Sequence, residues 1–94
     1  MLTPVQRKKL KAEAHHLEPV VTIGGKGLTQ EVIAEVERAL TAHQLIKVRA
    51  PAMDRHARAD AHAAICEKVG AEPVQHIGKV LVLYRKKDGS TKEV

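Results

Sequence analysis

A single compact α/β domain is the fold class this chain predicts: a four-stranded mixed sheet with packed helices, in the order α-β-α-β-α-β-β. Three observations carry it. Apolar residues recur at helical spacing in some segments and at alternating or continuous strand spacing in others. The two kinds of segment take turns along the chain until two strand patterns follow each other at the end. Pro19, the glycines at 24, 25 and 27, Gly70 and Gly78 break the pattern between them. Alternation implies parallel strands joined by right-handed crossovers, and the closing pair implies an antiparallel hairpin. A chain of 94 residues makes one domain with a modest core.

The first helix is expected in "LTPVQRKKLKAEAHHLEP", with Thr3 as N-cap, Pro4 at the first helical position and Gln6 completing a capping box. Leu10, Ala14 and Leu17 form its apolar stripe; Lys8, Lys11 and His15 share another face, with Arg7 on the margin. Pro19 bars continuation and "VVTI" (20–23) reads as the first strand. After the glycines, Thr29 caps a second helix lined by Val32, Ile33, Val36 and Leu40, with Glu31, Glu35 and Glu37 outside that stripe. "LIKVRA" (45–50) alternates, setting Ile46 and Val48 opposite Leu45, Lys47 and Arg49. Asp54 caps a third helix that Gly70 stops, anchored by Ile65 and Val69, with no face assigned to Cys66. "PVQHI" and "KVLVLYR" hinge at Gly78, and the second of them, apolar on both faces, suits a central position. The domain is expected over residues 1–86, with a flexible polar tail at 87–94.

Sixteen Lys and Arg against eleven Asp and Glu leave a net charge of +5, a balance that favours polyanions over acidic partners. Tyr84 is the only aromatic residue, which argues against bases stacking on a row of rings. Cys66 is alone, so the chain has neither an internal disulfide nor a thiolate zinc site. The N-terminus lacks an apolar signal core and no stretch approaches a membrane span, so a soluble, cytoplasmic monomer is expected.

The loop Gly24, Gly25, Lys26, Gly27 is the most specific motif. A Walker A loop fails because Gly27 follows Lys26, and a dinucleotide fingerprint fails because position 30 is Gln30. A G-x-x-G remains, the pattern with which some modules clamp a nucleic-acid backbone. Bare backbone N–H groups, the positive end of the second helix and Lys26 suit phosphate. The same four residues equally suit a tight strand-to-helix turn. Arg7, Lys8 and Lys11, then Lys47 and Arg49, then Lys79 and Arg85 supply three basic clusters that point to a tracked phosphate backbone. No histidines stand at ligand spacing, and no hydrolase elbow or zinc-protease motif occurs, so neither a metal, a cofactor nor catalysis is expected.

Taken together, "LTPVQRKKLKAEAHHLEPVVTIGGKGLT", "HQLIKVRA" and "VQHIGKVLVLYR" resemble the CRM (chloroplast RNA splicing and ribosome maturation) domain, above all its bacterial single-domain YhbY type. The resemblance implies a fold similar to the C-terminal domain of translation initiation factor three. It also implies RNA binding, with ribosomal RNA in a large-subunit precursor as the partner in bacteria. The family's glycine loop falls on Gly24, Gly25, Lys26 and Gly27, its basic first helix on Arg7, Lys8 and Lys11, and its second strand on Lys47. Its closing motif falls on Gly78, Lys79, Tyr84 and Arg85. Many relatives carry a basic residue where this chain has Gly25, so Lys26 is the one charge inside the loop. The rival class is a small nucleotide-phosphate-binding protein or enzyme using the same loop; a third is an adaptor working through the acidic second helix.

Overall fold

A computed structural model describes residues 2–86, and the tail expected at 87–94 lies outside the described residues. Its elements are α1 (Pro4–Ala14), β1 (Pro19–Thr22), α2 (Gln30–Ala42), β2 (Leu45–Arg49), α3 (Arg55–Val69), β3 (Glu72–Ile77) and β4 (Val80–Tyr84). The order is the one the hydrophobic pattern predicts.

Local chemistry fixes the helix ends. The Gln6 N–H donates to Thr3 Oγ1 at 3.1 Å while the Thr3 N–H donates to Gln6 Oε1 at 2.9 Å, closing the expected box. Thr29 Oγ1 accepts from the Val32 N–H at 3.1 Å, and Asp54 Oδ1 accepts from the Ala57 N–H at 2.8 Å. Gly70 ends α3 in the left-handed region, with φ 69°. The first helix is shorter than its apolar stripe suggests. It stops at Ala14, and the N–H groups of His15, His16 and Leu17 turn back three residues to Ala12, Glu13 and Ala14. Tightening the last turn in this way satisfies carbonyls before Pro19 arrives, and it leaves Leu17 half-buried beyond the helix.

The sheet runs β1-β2-β4-β3. β1 and β2 are parallel, joined across α2; β4 is antiparallel to both β2 and β3, and so takes the central position its two-sided apolar pattern predicts, beside β2, the other interior strand. Both outer strands carry a proline beside a register irregularity, Pro19 in β1 and Pro73 in β3.

Period-two alternation divides the sheet into two unequal cores. Ile46, Val48, Leu81 and Leu83 face α2 and α3, where they pack with Val36, Leu40, Ile65 and Val69. The opposite face holds a smaller cluster in which Val74 and Val82 meet Ala14 of α1, flanked by Leu10, Leu45 and Tyr84. An 11-residue helix is about 16 Å long. It covers only part of that face, and Val20 and Ile77 remain 52% and 49% exposed.

Candidate nucleic-acid interface

The glycine loop lies where β1 gives way to α2, at the end of the sheet. The Ile23 N–H donates to the Arg49 carbonyl at 2.7 Å, so the chain leaves β1 still joined to the end of β2. A turn then closes from the Gly27 N–H to the Gly24 carbonyl at 3.1 Å, and the Thr29 N–H donates to Gly27 at 3.0 Å before α2 begins.

The three glycines are not there for one reason. Gly27 has φ 76°, a conformation that costs a side-chain-bearing residue about 1–2 kcal/mol. Gly24 and Gly25 have negative φ, and a Cβ on either would meet no heavy atom within 4 Å. The turn therefore requires glycine at 27 but not at 24 or 25, whose bareness matters only to something approaching from outside. The N–H groups of Gly25 and Lys26, and those of Gln30 and Glu31 at the start of α2, make no hydrogen bond to any described residue. These donors, the positive end of a 13-residue helix and the exposed Lys26 ammonium form an anion-attracting corner.

Further cations extend from this corner across the open sheet face. Arg49 pairs with Thr22 in the ladder beside the loop, and the Ala50 N–H donates to the Lys79 carbonyl at 2.8 Å, which brings the β3–β4 turn to the same end. Lys47 lies on the Arg49 face, about 6.6 Å back along β2. Lys47 and Lys11 line one cavity of about 230 Å³, together with His15, Gln75 and Ile77 on its rim. Ala14, Val80 and Val82 form its floor. Lys8 stands exposed on α1, whereas Arg7 is half-buried, with Nη2 3.4 Å from the Pro73 carbonyl. Among the described residues, Lys8, Lys11, Lys26, Lys47, Arg49 and Lys79 have no carboxylate partner.

Arg85 stands apart from this group. Its N–H donates to Gln44 at the start of β2, the end of the sheet opposite the loop. Its guanidinium donates to Glu37 Oε1 and to the Val69 carbonyl, both at 2.9 Å, and to Thr41 Oγ1 at 3.2 Å. Glu37 is held below the usual glutamate range by that hydrogen bond, against a smaller opposing effect of burial. A charge so engaged joins β4 to α2 and α3, and it borders a second cavity of about 740 Å³ with Leu2, Gln6 and Tyr84.

Under α3 lies a polar cluster. Arg58 is buried and donates to the carbonyls of Met53 and Ala50, which fixes the β2–α3 connection beside the glycine loop. Its Nε lies 3.4 Å from His76 Nε2, and His76 meets His62 edge to face at 6.4 Å. Buried His62 contacts the Val82 carbonyl at 3.0 Å. Burial lowers the pKa of His62, and burial with Arg55 and Arg58 lowers that of His76, so both favour the neutral ring. Cys66 packs in the larger core, where burial pushes its thiol up to about 11. Among the described residues no group of three His, Cys, Asp or Glu side chains could hold a metal ion, and no helix is long and apolar enough to cross a membrane.

This geometry can be set beside known proteins. The family model for the CRS1/YhbY (CRM) domain matches residues 2–85. The chain belongs to that family. It is 49% identical over 84 residues to a Haemophilus influenzae protein named RNA-binding protein, a match spanning 89% of this chain and 85% of the relative. It is 42% identical over 85 residues to a Pseudomonas aeruginosa protein named probable RNA-binding protein, across 90% of this chain and 82% of that one. The solution structure of a hypothetical protein from Staphylococcus aureus superposes with a TM-score of 0.84 at 30% identity, covering 94% of this chain and 92% of that one.

Three residues of this CRM domain's surface and support escaped the sequence reading. Gln75 and Ile77 share a face of β3 by simple alternation, but their approach to Lys47, across β4 and around one cavity, depends on the strand order. Arg58 stands four and seven residues before His62 and Ile65 and shares the buried face of α3 with them, a face that an alanine-rich helix barely marks.

Proposed function

We propose that this CRM domain binds RNA through phosphates held at the glycine loop and the start of α2, with Lys11, Lys47, Arg49 and Lys79 extending the track. The observation that carries this reading is the bareness of Gly24 and Gly25, two glycines that neither backbone angle nor crowding demands. The unclaimed N–H donors beside them and the unpaired cations of the open face favour a polyanion over a neutral partner. Relatives named as RNA-binding proteins support RNA as that polyanion. By the family resemblance, that RNA is ribosomal RNA in a precursor of the large subunit, bound without catalysis.

The cavities of about 740, 320 and 230 Å³ are lined by residues other than 24–27, which favours an extended polyanion over an enclosed mononucleotide at the loop. The remaining cavity, about 320 Å³, lies between α1 and Leu45.

Gly24→Asp and Gly25→Asp test the loop at positions where an added Cβ meets open space. Fluorescence anisotropy with a ribosomal RNA fragment should show affinity falling in both variants. In the parent chain, affinity should decline by about 0.7 log unit per decade of salt for each phosphate held on a single strand. Unchanged binding by both variants would remove the loop from the interface. Co-sedimentation with large-subunit precursors, lost in the same variants, tests the ribosomal assignment.

A further inference from the structure

The cavity at the end of α1 differs in kind from the phosphate corner. Its floor is aliphatic, made by Ala14, Val80 and Val82, and Ile77 stands half-exposed at its edge. Its rim carries Lys11, Lys47 and His15. The Gln75 side chain, whose amide can both donate and accept, makes no hydrogen bond to a described residue. At about 230 Å³ it falls below the roughly 300–1,000 Å³ usual for drug-sized ligands.

We propose that this cavity receives one unpaired nucleobase of the bound RNA, with Ile77 and Val80 against the ring face and the Gln75 amide on its edge. This rests on the RNA reading above and deepens it: the partner presents at least one splayed base and is therefore single-stranded at that point.

Flipped or unpaired bases are held between apolar side chains while a polar group reads their edge. Tyr84, the domain's only Phe, Tyr or Trp, packs at the far end of α1; the one ring at this cavity is the His15 imidazole on the rim, and the aliphatic surface of Ile77 and Val80 supplies the rest of the apolar contact. Lys11 and Lys47 on the rim are placed for the phosphates on either side of the base, and Lys47 lies one strand repeat from Arg49 and the loop corner. An apolar peptide side chain would fit the floor but not a rim with two unpaired ammonium groups.

The test uses three RNAs of equal length: an unstructured single strand, the same ribose–phosphate strand without bases, and a fully paired hairpin. By anisotropy, the parent protein should bind the single strand at least about fivefold more tightly than the baseless strand, the scale expected for burying a half-exposed aliphatic group. Ile77→Ala and Gln75→Ala should each shrink that preference while leaving affinity for the baseless strand unchanged. Equal binding of both strands by the parent protein would overturn the base site, as would preferential binding of the paired hairpin. A uniform loss on both strands in the two variants would also overturn it.

Gly25→Asp separates this idea from the loop reading. It should weaken both strands alike and keep the preference. If it changes neither while the preference persists, the base site stands and the loop reading falls. If the parent protein binds none of the three RNAs, both fall.

Discussion

Arg85 Nη1 lies 2.9 Å from Glu37 Oε1, an ion pair that ties the residue after β4 to the middle of α2. The guanidinium is only 20% exposed and also holds the last carbonyl of α3, so the pair organises three elements at the end of the sheet away from the glycine loop. Arg85→Ala should cost about 1–2 kcal/mol in urea denaturation, more than an exposed pair because hydrogen bonds to a charged group are lost as well. RNA affinity should be unchanged. Since Arg85 holds the Glu37 carboxyl below its ordinary value, the pair's contribution is full above the usual glutamate range and disappears as pH falls through the lowered value.

The two histidines beneath α3 predict a second pH dependence. In the unfolded chain each takes up a proton near its ordinary value of 6.5; in the folded chain each does so only at lower pH. The unfolded state therefore binds more protons as pH drops below about 6.5, and stability should fall over that range. Urea midpoints compared at about pH 7.5 and about pH 5.5 should show the loss. His62→Gln keeps an N–H for the Val82 carbonyl but cannot titrate, and it should flatten the decline.

Two glycines two residues apart should respond oppositely to alanine. Gly27→Ala forces a methyl into φ 76° and should lower stability by about 1–2 kcal/mol. Gly25→Ala meets open space and should raise stability by about 0.5 kcal/mol through a less flexible unfolded chain. Thermal denaturation of both variants checks the contrast.

Glu31 supplies the negative charge in the first turn of α2, next to the proposed phosphate corner. The same carboxylate that favours the helix should oppose a bound phosphate. Glu31→Gln should therefore cost about 0.3–1 kcal/mol of stability. It should nonetheless tighten RNA binding, read as a higher affinity at low salt and no gain at high salt.

What the sequence makes legible is what short-range chemistry decides. Thr3 with Gln6, Thr29, Asp54 and Gly70 signal their helix ends within a few residues, and each stands where expected. Ile46 and Val48 announce their face by alternation. The fate of a charge is different, because it is set by partners distant in the chain. Arg85 and Lys79 look alike as basic residues of the closing hairpin, but Arg85 finds a carboxylate 48 residues away and Lys79 finds none among the described residues. Likewise Arg58 is buried by the β2–α3 connection and by His76, and an alanine-rich helix gives too even an apolar contrast to announce it. Gly24, Gly25 and Gly27 are identical letters with equally open surroundings, and only the positive φ of Gly27 separates the turn's glycine from the other two.

Pro19 and Pro73 occupy the two outermost strands, each beside a break in register. Without N–H groups there, neither rim offers a continuous row of donors on which another copy could extend the ladder. The rims, rather than the faces, are where a sheet recruits foreign strands into fibrils. With both rims interrupted, the domain can leave one face half uncovered without inviting edge-to-edge growth.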